Sequence, residues 1–190
     1  MMMDKLKAIG KKKIVLIIGG ILLVIALLVL INWDRIQYRR AIAEFYGNYG
    51  NIYVMDNARV PKDIRHKYYE ERFQELGKTE EEYREEAEEA YKNSGVRCKY
   101  KILRAENLIR LYKFWPDNKV HITDLEDFKD TMYTHFGKYG LDPELIKKAY
   151  VVEVKVIRDY GKGNQEATEH IIAYKYKNEW KVYMTIAYDC

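Results

Sequence analysis

Hydrophobic and polar positions divide the chain into one unbroken apolar block and a longer region of short periodic segments. From Ile14 to Ile31, 18 residues, no polar side chain occurs. At about 1.5 Å per residue a helix of that length covers roughly 27 Å, close to the roughly 30 Å hydrocarbon core of a bilayer. Lipid offers the backbone no partners, so an isolated segment there is helical. The pattern predicts a transmembrane helix over residues 14–33, with Ile14, Leu22, Leu30 and Ile31 in lipid and Trp33, then Tyr38, at the interfacial aromatic belt. The block ends Leu30-Ile31-Asn32-Trp33-Asp34, which lacks the small-x-small cleavage pattern of a secretory leader, and no Cys precedes Cys98. It therefore reads as an uncleaved signal anchor.

Past the block the rhythm is helical. Ile36, Arg39, Arg40, Ala43 and Tyr46 recur at three and four residue intervals, so the membrane helix is expected to continue into the soluble part until Gly47 and Gly50. Pro61 opens a second helix, with Ile64, Tyr68 and Phe73 on its apolar face, and Gly77 closes it. Thr79 with Glu82 forms a capping-box pattern that starts a third helix through about Lys92. Its stripe is Tyr83, Ala87, Ala90 and Tyr91. Glu80, Glu81, Glu82, Glu85, Glu86, Glu88 and Glu89 fill the other faces and read as a solvated surface, because a calcium loop needs an irregular backbone and a Gly turn.

Alternation then takes over. Cys98, Tyr100 and Ile102 against Arg97, Lys99 and Lys101 predict a strand with one wet face. Thr123 to Glu126 repeats the capping-box pattern before a helix carrying Leu125, Phe128, Met132 and Phe136, and Asp142-Pro143-Glu144 predicts one short capped turn. Tyr150, Val152, Val154 and Val156 alternate with Val151, Glu153, Lys155 and Ile157. Two further runs follow, 166–177 and 179–188, the first after "DYGKGNQ" and the second after Lys177-Asn178, giving three antiparallel strands joined by hairpins. Helices first and strands last predict an α+β fold with helices packed on one face of a curved antiparallel sheet. The expected organisation is a basic tail at 1–13, the membrane helix at 14–33, a helical extension and connector at 34–59, and an α+β domain at 60–190.

The closing segment "AYVVEVKVIRDYGKGNQEATEHIIAYKYKNEWKVY" resembles the carboxy-terminal sheet of the nuclear transport factor 2-like (SnoaL-like) proteins of the cystatin-like fold. There a long strand precedes hairpins ending in a Gly- or Asn-containing turn and a Trp-Lys-Val type strand, here Asn178, Trp180, Lys181 and Val182. "LDPELIKKAYVVEVKV" also looks like exported or membrane-anchored bacterial members of that group. The resemblance covers about residues 140–188. It implies a cone of sheet and helices whose open end holds a small ligand, with Asp, His or Tyr inside it in the isomerase and dehydratase members. No catalytic motif carries over to a numbered position.

Charge sets the orientation. Lys5, Lys7, Lys11, Lys12 and Lys13 precede the block and Arg35, Arg39 and Arg40 follow it, which favours a cytoplasmic amino terminus and an extracytoplasmic domain. The formal charge of +4 belongs to the tail: outside the first 13 residues, 28 basic side chains meet 28 acidic ones. A balanced domain argues against a nucleic-acid partner. Cys98 and Cys190 read either as a disulfide pair or as two free thiols.

Candidate chemistry adds little. His66, His121, His135 and His170 are scattered without metal-site spacing, and the only serine, Ser94, lies in no nucleophile motif. Asp127, Tyr133 and His135 are the raw material for an acid–base pair on one helix. No cofactor or metal is expected. The 18 tyrosines offer apolar rings with a polar tip, suited to an interface and more often to strand packing alone. The expected function is a non-enzymatic, single-pass membrane-anchored binding or assembly module whose partners are the bilayer and envelope proteins or further copies of itself. Its layout resembles the bitopic subunits of type IV secretion and conjugation machines. The alternative is a ketosteroid-isomerase-like enzyme or small-ligand carrier working in the cone.

Overall fold

The computed structural model describes residues 18–108, 122, 124–161 and 163–184. The chain divides into two compact units, 1–37 and 38–190. Lys5, Lys7, Lys11, Lys12, Lys13, Ile14 and Cys190 lie outside the described residues.

In the first unit, helix α1 runs Ile18–Ile31. Its large apolar side chains, Leu22 and Leu30 among them, are exposed, from 39 % at Val29 to 78 % at Ile31. The expected uninterrupted span is not seen. No single helix among the described residues is long and apolar enough to cross a membrane, and α1 meets the length and composition criteria only together with α2, Trp33–Gly47, as a pair bent at a break. The break is at Asn32, whose backbone N–H (3.1 Å) and side-chain Nδ2 (2.9 Å) both donate to the Leu28 carbonyl. A short amide side chain that competes for backbone partners is a local cause of such breaks. Trp33, half exposed, thus opens α2 rather than closing the span.

The second unit is built on a four-stranded antiparallel meander in the order β1 (Arg97–Asn107), β2 (Ile146–Asp159), β3 (Asn164–Tyr176) and β4 (Glu179–Met184). Both expected hairpins are present, the second turning through Lys177 at φ 52°. Register places Val151 beside Ile172, and Ile172 beside Tyr183, on one face of the sheet. Val152 beside Ile171, and Tyr100 beside Val156, lie on the other.

Both faces carry helices, the first over its inner part only, which corrects the expectation of helices on one side. Helix α6 (Leu125–Phe136) brings Phe128, Met132 and Phe136, and α4 (Lys62–Leu76) brings Ile64, onto the first face. Tyr38, Ala41, Ile42, Phe45 and Tyr46 of α2 pack on the second. The cause is legible in β2: Val151 lies on one side and Val152, Val154 and Val156 on the other, so an uncovered face would leave a row of branched apolar groups in water. Residues from Tyr38 onward therefore belong to the folded unit and are not a connector to it. Helix α3 (Ile52–Arg59), capped by the Asn51 side chain, packs beside β4, and α5 (Glu80–Ser94) packs against α3 and α4.

The Thr79 and Glu82 capping box forms as expected. For the second, expected at Thr123, the described residues show α6 starting at Leu125 with Asp124 as its cap, the carboxylate accepting from Asp127 N–H at 2.9 Å. An Asp carboxylate at this position also meets the positive end of the helix, which favours it as the cap. Thr123 lies outside the described residues.

Candidate interaction site

The space between the first sheet face and α6, where a cone-shaped pocket is expected, is filled by the protein itself. Phe128, Met132, Ile146, Ile172 and Tyr174 are fully buried there, and the Phe128 ring meets those of Tyr174 and Tyr183 edge-on at 5.4 and 5.7 Å. Tyr174 donates its hydroxyl to the Arg59 carbonyl at 2.7 Å, and burial pushes that phenol well above its ordinary value. Asp127, Tyr133 and His135 are not gathered around a cavity. Tyr133 is 60 % exposed, His135 lies on the outside of α6 with its ring 5.8 Å from Tyr183, and Asp127 sits at the capped end of the helix.

A groove of about 550 Å³ lies elsewhere, in the corner between α4 and the start of α5. Its floor is aromatic: the Tyr69 and Phe73 rings stack at 5.1 Å, and Tyr53 stacks on the far side of Tyr69 at 5.6 Å. Its rim is rich in acceptors, with His66, Glu70 and Gln74 from α4 and Glu80 and Glu82 from α5, and the cation that also lines it, Lys78, is ion-paired to Glu86. Spacings of four residues put His66, Glu70 and Gln74 on one edge of α4, and Gly77, in the left-handed conformation at φ 63°, turns the chain so that the first turn of α5 forms the opposite wall. Glu82 is engaged in its capping box and Glu80 accepts from Tyr53 at 2.7 Å. Glu70 has no hydrogen-bond or ion-pair partner among the described residues.

Behind the floor is a buried polar cluster. Tyr69 donates toward the Tyr53 carbonyl and Asn57 Oδ1, both at 3.3 Å. Asp56 is 4 % exposed, its Oδ1 lies 3.6 Å from Arg59, and its Oδ2 has no hydrogen-bond partner among the described residues. Burial raises the Asp56 carboxyl above the usual carboxylate range despite the opposing pull of Arg72 and Arg59. The carbonyl end of α3 is held by cations, as a helix carboxyl end favours. Arg65 donates to the Asn57 and Val60 carbonyls at 3.0 and 3.2 Å, and Lys181 of β4 to Asn57 at 3.0 Å.

The second sheet face has its own buried charge pair. Arg158 of β2 and Glu169 of β3 are ion-paired beneath the carboxyl end of α2, where the Tyr46 hydroxyl donates to the other Glu169 oxygen and the Tyr49 ring lies under the guanidinium at 4.5 Å. Burial pushes the Tyr46 phenol far up, with Arg158 opposing. Cys98 is half-buried nearby, and burial raises its thiol. A pairing with Cys190 concerns a residue outside the described ones.

The outer part of the first sheet face is uncovered, and its β1 row is cationic. Arg97, Lys99 and Lys101 project as alternate residues of β1, all exposed and with no ion-pair partner among the described residues. Lys101 faces Lys155 directly across β1 and β2, and Lys155 is ion-paired to Glu166 on its other side. Like charges in register oppose one another, so this arrangement is locally unfavourable.

Neither the groove nor the cationic row is legible as a site in the sequence. The glutamates of α5 read as a solvated face, and Glu70, Phe73 and Gln74 acquire meaning only when α5 is folded against α4. Among the described residues no group of three His, Cys, Asp or Glu side chains is placed to hold a metal ion. No protein-family model, curated protein or solved structure matches this chain.

Proposed function

We propose that the chain is a single-pass membrane protein, anchored through its amino-terminal apolar segment, that presents an α+β binding or assembly module on the extracytoplasmic side. The observation that carries this reading is α1, whose large apolar side chains are exposed on every face. A helix apolar all round belongs in a protein core or in lipid, and this one is in no core. The lysines at 5–13 set the orientation through the positive-inside rule. A nuclear transport factor 2-like ancestry of the sheet, and a place in a type IV secretion-like envelope complex, are narrower forms of the same proposal. They rest on the resemblance of residues 140–188 and on the layout of tail, span and domain.

The filled layer between sheet and α6 favours the module over the isomerase-like alternative, which needs an apolar cavity with a tuned polar group inside it. Fractionation tests the anchor. After alkaline carbonate washing the full chain should stay with the membrane pellet and dissolve only in detergent. Release into the carbonate supernatant would refute the anchor.

A further inference from the structure

We infer that the partner of the α4/α5 groove is a second copy of this chain, seated through the cationic row of its β1 strand. This deepens the assembly half of the proposed function and does not depend on the anchor. Three observations meet here. The groove combines an aromatic floor, Tyr69 and Phe73, with the carboxylates of Glu70 and Glu80 on its rim, which suits a side chain that is an apolar stem with a cationic tip. The same molecule carries such side chains in a row, Lys99 and Lys101 standing two residues apart and therefore on one side of the strand. Third, of the facing pair Lys101 and Lys155 only Lys155 has a counter-charge, Glu166, so an incoming carboxylate would supply the one that Lys101 lacks.

The two surfaces come from different parts of the fold, so the contact is heterologous: the groove of one copy takes the strand of the next and leaves its own strand free. Such a contact repeats into a ring or an open filament and does not stop at a two-fold dimer. Charge complementarity of this kind steers association and makes it sensitive to salt.

Charge exchange tests this in the full-length chain in detergent micelles, by light scattering coupled to size exclusion. The variant Lys99→Glu/Lys101→Glu reverses the row. The variant Glu70→Lys/Gln74→Lys makes the groove rim cationic at two exposed helical positions whose side chains have no partners among the described residues. Wild type should associate with concentration at about 50 mM salt and lose association at about 500 mM, where screening is several-fold shorter in range. Each variant alone should bind itself at least about tenfold more weakly, and an equimolar mixture of the two should associate again, since each then offers the surface the other lacks. Matching circular dichroism spectra and melting temperatures exclude misfolding. A mixture that stays monomeric, variants that associate like wild type, or association indifferent to salt overturns the inference. So does a wild type that captures a hexalysine peptide through Glu70 while never binding itself, which would assign the groove to a different basic protein. A chain that remains in solution without detergent refutes the anchor and leaves the mixing result readable.

Discussion

Tyr46 and Glu169, 123 positions apart in the chain, are joined by a 2.8 Å hydrogen bond that ties α2 to the third strand of the sheet. The donor is a fully buried tyrosine and the acceptor a carboxylate already committed to Arg158. With the phenol removed, one Glu169 oxygen loses its partner in a setting that water reaches poorly. Tyr46→Phe should cost about 1.5–3 kcal/mol, the usual worth of a hydrogen bond to a charged group. Glu169→Ala should cost more, about 3–5 kcal/mol, because it leaves the Arg158 guanidinium buried without its counter-charge. Thermal unfolding of the full chain in micelles reads both. Equal losses would mean that the ion pair contributes nothing beyond the phenol's bond.

Asp56 gives a pH signature of definite sign. Its carboxyl is raised in the folded state, first by burial, so the native protein holds that proton to higher pH than the unfolded chain does. The associated stability is present at low pH and is lost as pH rises through the folded-state value. Asp56→Asn removes the titration. Its melting temperature relative to wild type should therefore climb between about pH 4 and pH 7, the range above an ordinary carboxyl's titration. A difference of the same size at both pH values contradicts this account of the buried carboxylate.

The filled layer under α6 predicts a cavity cost. Phe128 is fully enclosed between Tyr174 and Tyr183. Phe128→Ala should destabilise by about 3–5 kcal/mol, and the void it opens should bind a small apolar probe such as benzene with a measurable rise in melting temperature. A loss well below 2 kcal/mol would show that the layer is loosely packed.

Asp124 is predicted to be the residue that starts α6. Asp124→Ala should cost about 1 kcal/mol, and Asp124→Asn much less, since Asn keeps an oxygen that can accept from Asp127 N–H. If Ala and Asn behave alike, the side-chain oxygen is not acting as a cap.

Much of the fold is written locally. The alternation of Val152, Val154 and Val156, the Lys177-Asn178 turn and the Thr79 to Glu82 box each depend on neighbours within a few residues, and each forms where the pattern places it. Most of the readings that differ are decided at longer range. Tyr38, expected at the membrane interface, and Ile42 and Phe45, which the expected rhythm from Ile36 to Tyr46 passes over, lie instead on the back of a sheet formed a hundred residues later, which periodicity does not say. The hint was in β2, where adjacent Val151 and Val152 are both apolar and so require cover on both sides. Helix α3 is too short, and too mixed in polarity, for its period to emerge from "IYVMDNAR". At Thr123-Asp124 two good capping residues stand side by side, and the local pattern does not rank them. The groove needs α4 and α5 folded against each other, and the Lys101 to Lys155 clash needs the strand register; neither is a property of any one segment.

The most direct measurement of the central claim is protease treatment of intact cells expressing the full chain with a tag at each end. The anchored-module account predicts that external protease removes the carboxy-terminal tag and digests the α+β domain, while the amino-terminal tag is cut only after the membrane is permeabilised. A carboxy-terminal domain that resists digestion in intact cells and is cleaved after lysis would contradict it.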